Sequence, residues 1–128
     1  MKLIIAGSRE FTDYKLLTET MAVEGLNADT VATVVSGCAR GADRLGEKWA
    51  VAHGIPIARF PANWDNYGKR AGFIRNSEMA EYADACIVFW NGSSKGTKHM
   101  IDIAKRKQGM RWITVTVTPV TYVTMPEF

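Results

Sequence analysis

Three stretches of this chain combine glycine with hydroxyl residues and a cation. They are Gly7-Ser8-Arg9, the run from Ser36 to Asp43 (SGCARGAD), and the run from Asn91 to Thr97 (NGSSKGT). Glycine lets main-chain N–H groups approach an anion, and the start of a following helix favours negative charge. Phosphate is the anion such loops fit. Gly7, Ser8, Arg9, Ser36, Gly37, Arg40 and Gly41 are therefore candidate ligand contacts, joined by Asn91, Gly92, Ser93, Lys95, Gly96 and Thr97. Asp43 differs in kind, because a carboxylate repels a phosphate. It either complements a helix start or accepts a hydroxyl of a ribose. Arg75 and Asn76 interrupt an apolar stripe formed by Met79 and Ala83 with Gly72, and an unpaired buried polar group costs about 1–3 kcal/mol. Either a ligand crevice lined by both residues or a structural hydrogen-bond network accounts for them. Trp64, Tyr67 and Lys69, just upstream, suit the stacking of a base or a contact with a second subunit.

Other chemistries lack their residues. No GxGxxG is present, and in the third loop the lysine precedes the second glycine, so the P-loop spacing fails. There is no GxSxG elbow. Cys38 and Cys86 lie far apart, in neither zinc-ribbon nor disulfide-scaffold spacing, and neither a metal nor a cofactor is expected. His53 suits a helix-end cap, and His99 has no motif around it. Lys95, Lys98, Lys105, Arg106, Lys107 and Arg111 form a basic run opposed only by Asp102, which suits a solvated helix face or a nucleic-acid patch.

The loops must be held by something, and the surrounding pattern says what. Apolar runs at Leu3 to Ala6, Val31 to Val35 and Cys86 to Trp90 each stop at a candidate loop, as buried parallel strands do. Ile55 to Phe60 and Trp112 to Val117 supply two more strands, the last with edge-like alternation. Helical stretches intervene at Asp13 to Leu26, Ala42 to His53, Arg70 to Ala83 and Thr97 to Gln108. In the second of these, Ala42, Leu45, Trp49 and Ala52 mark the inner face, with Arg44, Glu47 and Lys48 pointing away. Strict β-α alternation implies an α/β three-layer sandwich, with a mostly parallel sheet of about five strands and helices on both faces. The 128 residues, 47% hydrophobic and with a net charge of +3, suit one domain over residues 1–117. The tail 118–128 is expected to wrap the surface or meet a second subunit. The cysteine usage, and the lack of a signal-like or membrane-length apolar segment, place the protein in the cytoplasm.

Four blocks occur in a recognisable order: Gly7-Ser8-Arg9, SGCARGADRLGEKWA at 36–50, WDNYGKRAGFIRNSEM at 64–79, and ADACIVFWNGSSKGT at 83–97. Together they resemble the SLOG superfamily, most closely its YspA-like, YpsA-related branch of bacteria and phages. That resemblance implies a Rossmann-like domain with the first strand between the second and fourth. It also implies phosphate held by the fourth-strand loop, where Gly92, Gly96 and Thr97 match. The superfamily includes LOG phosphoribohydrolases, the DNA-uptake protein DprA and nucleotide-sensing domains, and members usually pair, so a homo-oligomer is expected. Arg75 matches an arginine of the LOG enzymes, but Met100 stands where they carry a glutamate. The resemblance therefore favours binding of a nucleotide or nucleotide-derived ligand. The alternatives are N-glycosidic hydrolysis, with Asp43, Glu78 and Arg75 as candidates for the chemistry, and DprA-like binding of single-stranded nucleic acid.

Overall fold

The computed structural model describes residues 1–117; the tail 118–128, and the role expected of it, lie outside the described residues. Five strands, β1 (Lys2–Gly7), β2 (Thr33–Ser36), β3 (Ile57–Arg59), β4 (Ala85–Trp90) and β5 (Arg111–Thr116), form one sheet in the order β3-β2-β1-β4-β5. Every pairing is parallel. The helices are α1 (Tyr14–Val23), α2 (Ala42–Ala52), α3 (Trp64–Tyr67), α4 (Ala71–Tyr82) and α5 (Lys95–Arg106), with a 3₁₀ turn at Gly68–Arg70.

Alternation along the strands sorts the core into two halves. Leu3 and Ile5 of β1, with Ala85, Ile87 and Phe89 of β4, pack on one face against Leu17 and Met21 of α1 and Trp49 of α2. Ile4 and Ala6, with Cys86 and Val88, pack on the other against Met79 of α4 and Met100 and Ala104 of α5. Strands buried on both faces need apolar residues at consecutive positions, which is why these runs lack polar alternation. The result is the expected three-layer, Rossmann-like α/β sandwich.

Several boundaries shift for local reasons. The first helix stops at Val23 rather than Leu26, because Gly25 adopts a left-handed φ of +73° and the Leu26 N–H turns back to the Met21 carbonyl at 2.8 Å. The segment 64–69, expected as the loop before the helix from Arg70, opens with a turn of helix capped by Asn63, whose side chain accepts the Asn66 N–H at 3.1 Å. The third loop ends sooner than expected, at Ser94, the N-cap of α5. The inner face of α2 runs through Ala42, Asp43, Gly46, Trp49 and Ala50, leaving Ala52 exposed. Glu47 does not point away: it accepts hydrogen bonds from Ser36 Oγ at 2.6 Å and from Arg59 Nη2 at 3.0 Å. Gly46 sets that rotation by bringing α2 onto β1, since a Cβ there would stand 2.7 Å from Ile5 Cγ2.

Gly46→Val is accordingly expected to cost about 1–3 kcal/mol through overpacking. It should appear as a lower denaturant midpoint with an unchanged slope. An unchanged midpoint would contradict the α2–β1 contact.

Candidate functional site

The chain leaves β1 toward β2 and β3 on one side and returns to β4 on the other. The loops after β1 and β4 therefore diverge, and they open a crevice at the carboxyl ends of the strands, the usual ligand position in such sheets. Ser8, only 1% exposed, ties the three glycine loops together. Its N–H donates to the Phe89 carbonyl at 3.0 Å, its carbonyl accepts from Phe11 and Ala42 at 3.1 and 3.3 Å, and its Oγ accepts the Asn91 N–H at 3.1 Å. Gly41 makes this junction sterically possible. Its φ is +80°, and a Cβ there would meet the Ser8 and Arg9 carbonyl oxygens at 2.4 and 2.5 Å.

All three loops reach one cleft of about 150 Å³. Gly7 and Arg9 contribute from the first, Ala39 and Asp43 from the second, and Ser94, Gly96 and Thr97 from the third. Trp64, Lys69, Phe73, Arg75 and Asn76 close the far wall, and Met79 and the buried Met100 also line it. An adjoining lobe of about 330 Å³ shares Arg9, Ala39, Trp64 and Arg75 and adds Gly37, Cys38 and Arg40. Ser8, Asn91 and Ser93 border a separate groove beside Arg9. Ser36 is fully buried against Glu47. Gly92, Lys95 and Glu78 are exposed and line none of these walls.

The wall from α4 is prearranged. Arg75 donates from Nη1 to the Gly37 carbonyl and from Nε to Asn76 Oδ1, the latter at 3.1 Å. Asn76 in turn donates through Nδ2 to the Gly96 carbonyl at 3.1 Å and to His99 Nδ1 at 3.2 Å. The polar pair that breaks the α4 stripe therefore bridges the second and third loops. Asn91 Oδ1 accepts the Ser93 and Ser94 N–H groups at 2.9 and 3.0 Å, which shapes the approach to α5. The N–H groups of Lys95 and Gly96 have no acceptor among the described residues. The sequence did not point to Phe73 or His99, whose rings stack with centroids 4.4 Å apart. An aromatic residue on the outer side of α4 was the available signal for Phe73; none pointed to His99.

A family model described as the YspA, cpYpsA-related SLOG family matches residues 1–67. The Gene 61 protein of Mycobacterium phage D29 is 33% identical over 111 residues, covering 82% of this chain and 89% of that protein. The chain belongs to the SLOG family. No solved structure matches it. SLOG membership points to nucleotide-related binding on a Rossmann-like domain, and residues 1–67 contain two of the three loops that meet at Ser8.

Asp43 is the one carboxylate among the residues lining this SLOG cleft. Burial raises its carboxyl from an ordinary value near 3.8 to about 6, and Glu47 adds to the rise. The Ala39 N–H, Arg75 and Arg9 oppose it. Because the folded value lies above the unfolded one, folding favours the protonated acid. That stability is complete below about pH 4 and is lost as pH rises through about 6, to the order of 3 kcal/mol in all. Asp43→Asn should remove this slope, leaving the variant more stable than the parent at pH 8 and close to it at pH 4. Thermal denaturation across that range reads the difference, and parallel curves for the two proteins would exclude a buried, strained carboxylate.

Proposed function

We propose that this protein binds a nucleotide or nucleotide-derived phosphate ligand in the cleft at the carboxyl ends of β1, β2 and β4. One observation carries this: Arg9, Lys69 and Arg75 face the same cleft as two aromatic side chains, Trp64 and Phe73, with a single acid opposing them. The cations and the free N–H groups at the start of α5 suit phosphate oxygens. The aromatic faces, 51% and 46% exposed, suit a planar base.

The basic run lends less support to nucleic-acid binding than its length implies. Lys98 pairs with Asp102 at 3.0 Å, and Lys105 lies over the Trp112 ring. Lys107 donates to the Ala80 and Ala83 carbonyls at the end of α4, and Arg111 to the Glu24 carbonyl. Four of the six cations thus have partners within the fold. Of the three candidates for hydrolysis of an N-glycosidic bond, Asp43 and Arg75 line the cleft and Glu78 does not, which leaves Asp43 as the one carboxylate there. Met100 offers no charge at the position of the LOG glutamate, and holding the phosphate alone does not speed bond breaking.

Nucleoside phosphates should raise the melting temperature more than the corresponding nucleosides. Ligand at 100 times its Kd stabilises by about 2.7 kcal/mol, a shift on the order of 10 °C. Arg9→Ala, at an exposed side chain, and Arg75→Lys should remove most of the shift. Equal shifts in all three proteins would refute the site. Chromatography of nucleoside monophosphates incubated with the protein should show no base release. Release that disappears in Asp43→Asn would establish a hydrolase instead.

A further inference from the structure

Asp43 is 6% exposed and lines the cleft, yet only half of its carboxylate is used. Oδ2 accepts the Ala39 N–H at 3.0 Å, and Oδ1 has no donor among the described residues. An ionised carboxylate offers about four acceptor positions, and buried acceptors are ordinarily filled. Arg75 does not fill this one. A Cβ on Gly37 would stand 2.8 Å from both Asp43 Oδ2 and Arg75 Nη1, so the two groups flank the same glycine. Even so, Arg75 directs its bonds to the Gly37 carbonyl and to Asn76, and makes no ion pair with Asp43. A carboxylate left in this state is completed by a donor arriving from the cleft.

The surroundings restrict what that donor is. An anionic group would be repelled by the carboxylate itself. A cationic group would meet Arg9, Lys69 and Arg75 on the same walls. A neutral O–H or N–H remains. Asp43 stands on α2, whereas the aromatic side chains that would take a base, Trp64 and Phe73, come from α3 and α4. In a nucleotide, the neutral donors between the phosphate and the base are the sugar hydroxyls. We infer that Asp43 is a specificity-determining acceptor for ribose hydroxyls, so that the cleft selects ribonucleotides over their deoxy counterparts. This rests on the proposed nucleotide site and adds to it the sugar the site accepts. A site built to bond a hydroxyl discriminates against the analogue that lacks it, because the buried acceptor is then left unpaired.

The test is calorimetric titration of the full chain at pH 8 with the four 5′-ribonucleoside monophosphates and diphosphates, and with their 2′-deoxy and 3′-deoxy forms. Ribonucleotides should bind roughly tenfold or more tightly than at least one deoxy form. In Asp43→Asn, which keeps an acceptor for Ala39, the ratio should fall toward one while phosphate dependence persists. Equal affinity for ribo and deoxy ligands, with binding still lost in Arg9→Ala, would overturn the ribose assignment and leave the phosphate site standing. Discrimination unchanged in Asp43→Asn would also overturn it. So would selectivity among the four bases that vanishes in Asp43→Asn, because the donor would then be a base N–H. Absence of binding by every nucleotide would remove both proposals.

Discussion

A single buried serine sets the relation between the three loops. Ser8 uses its N–H, its carbonyl and its hydroxyl on β4, on α2 and on the β4–α5 loop. The segments around Ala42 and around Phe89 to Asn91, distant in sequence from Ser8 and from each other, thus share one residue's hydrogen-bonding capacity. Main-chain groups buried at a strand end need partners, and here, beyond the Phe11 N–H of the same loop, they find them on other segments. Gly41 permits the contact, since any side chain there would collide with the Ser8 and Arg9 carbonyls. The cleft walls inherit their spacing from this junction.

Around that junction the charges are arranged at a cost to the fold. Asp43 is buried without an ion pair among the described residues, and burial raises its carboxyl because the folded environment accepts its charge poorly. A chain built for stability alone would place a neutral residue there. A partly unsatisfied acid, an arginine braced by two carbonyl-type oxygens and two half-exposed aromatic rings instead share one concave surface. Perturbed ionisable groups in a cleft are characteristic of sites that meet a ligand. Met100 belongs to this same surface but contributes only packing, as one of the largest fully buried side chains.

The contrast between Ser8, Ser36 and Arg75 shows how the candidate residues divide between holding the loops and lining the cleft. All three stood in the sequence as candidate ligand residues. Ser8 and Ser36 are buried, with their hydroxyls engaged by Asn91 and Glu47. Arg75 reaches the cleft wall while also holding Gly37 and Asn76 in place. Residue type alone does not separate these cases, because a serine hydroxyl serves a phosphate and a main-chain N–H equally well.

The order and type of the principal elements, the parallel sheet and the positions of the three loops were legible in the residue pattern. Consecutive apolar residues, helical periodicity and glycine placement are local properties, and local sterics and burial on both faces are enough to read them. Helix ends shifted where a glycine or an asparagine cap acted over two or three residues, as at Gly25 and Asn63. Tertiary structure alone decided which of the loop residues face the cleft. It turned Glu47 inward to Ser36 and Arg59, brought His99 to Asn76, and left Glu78 and Lys95 in solvent. Those outcomes depend on the rotation of α2, α4 and α5 against the sheet. That rotation follows from side-chain packing between segments many residues apart, such as Gly46 on Ile5, and no local pattern encodes it.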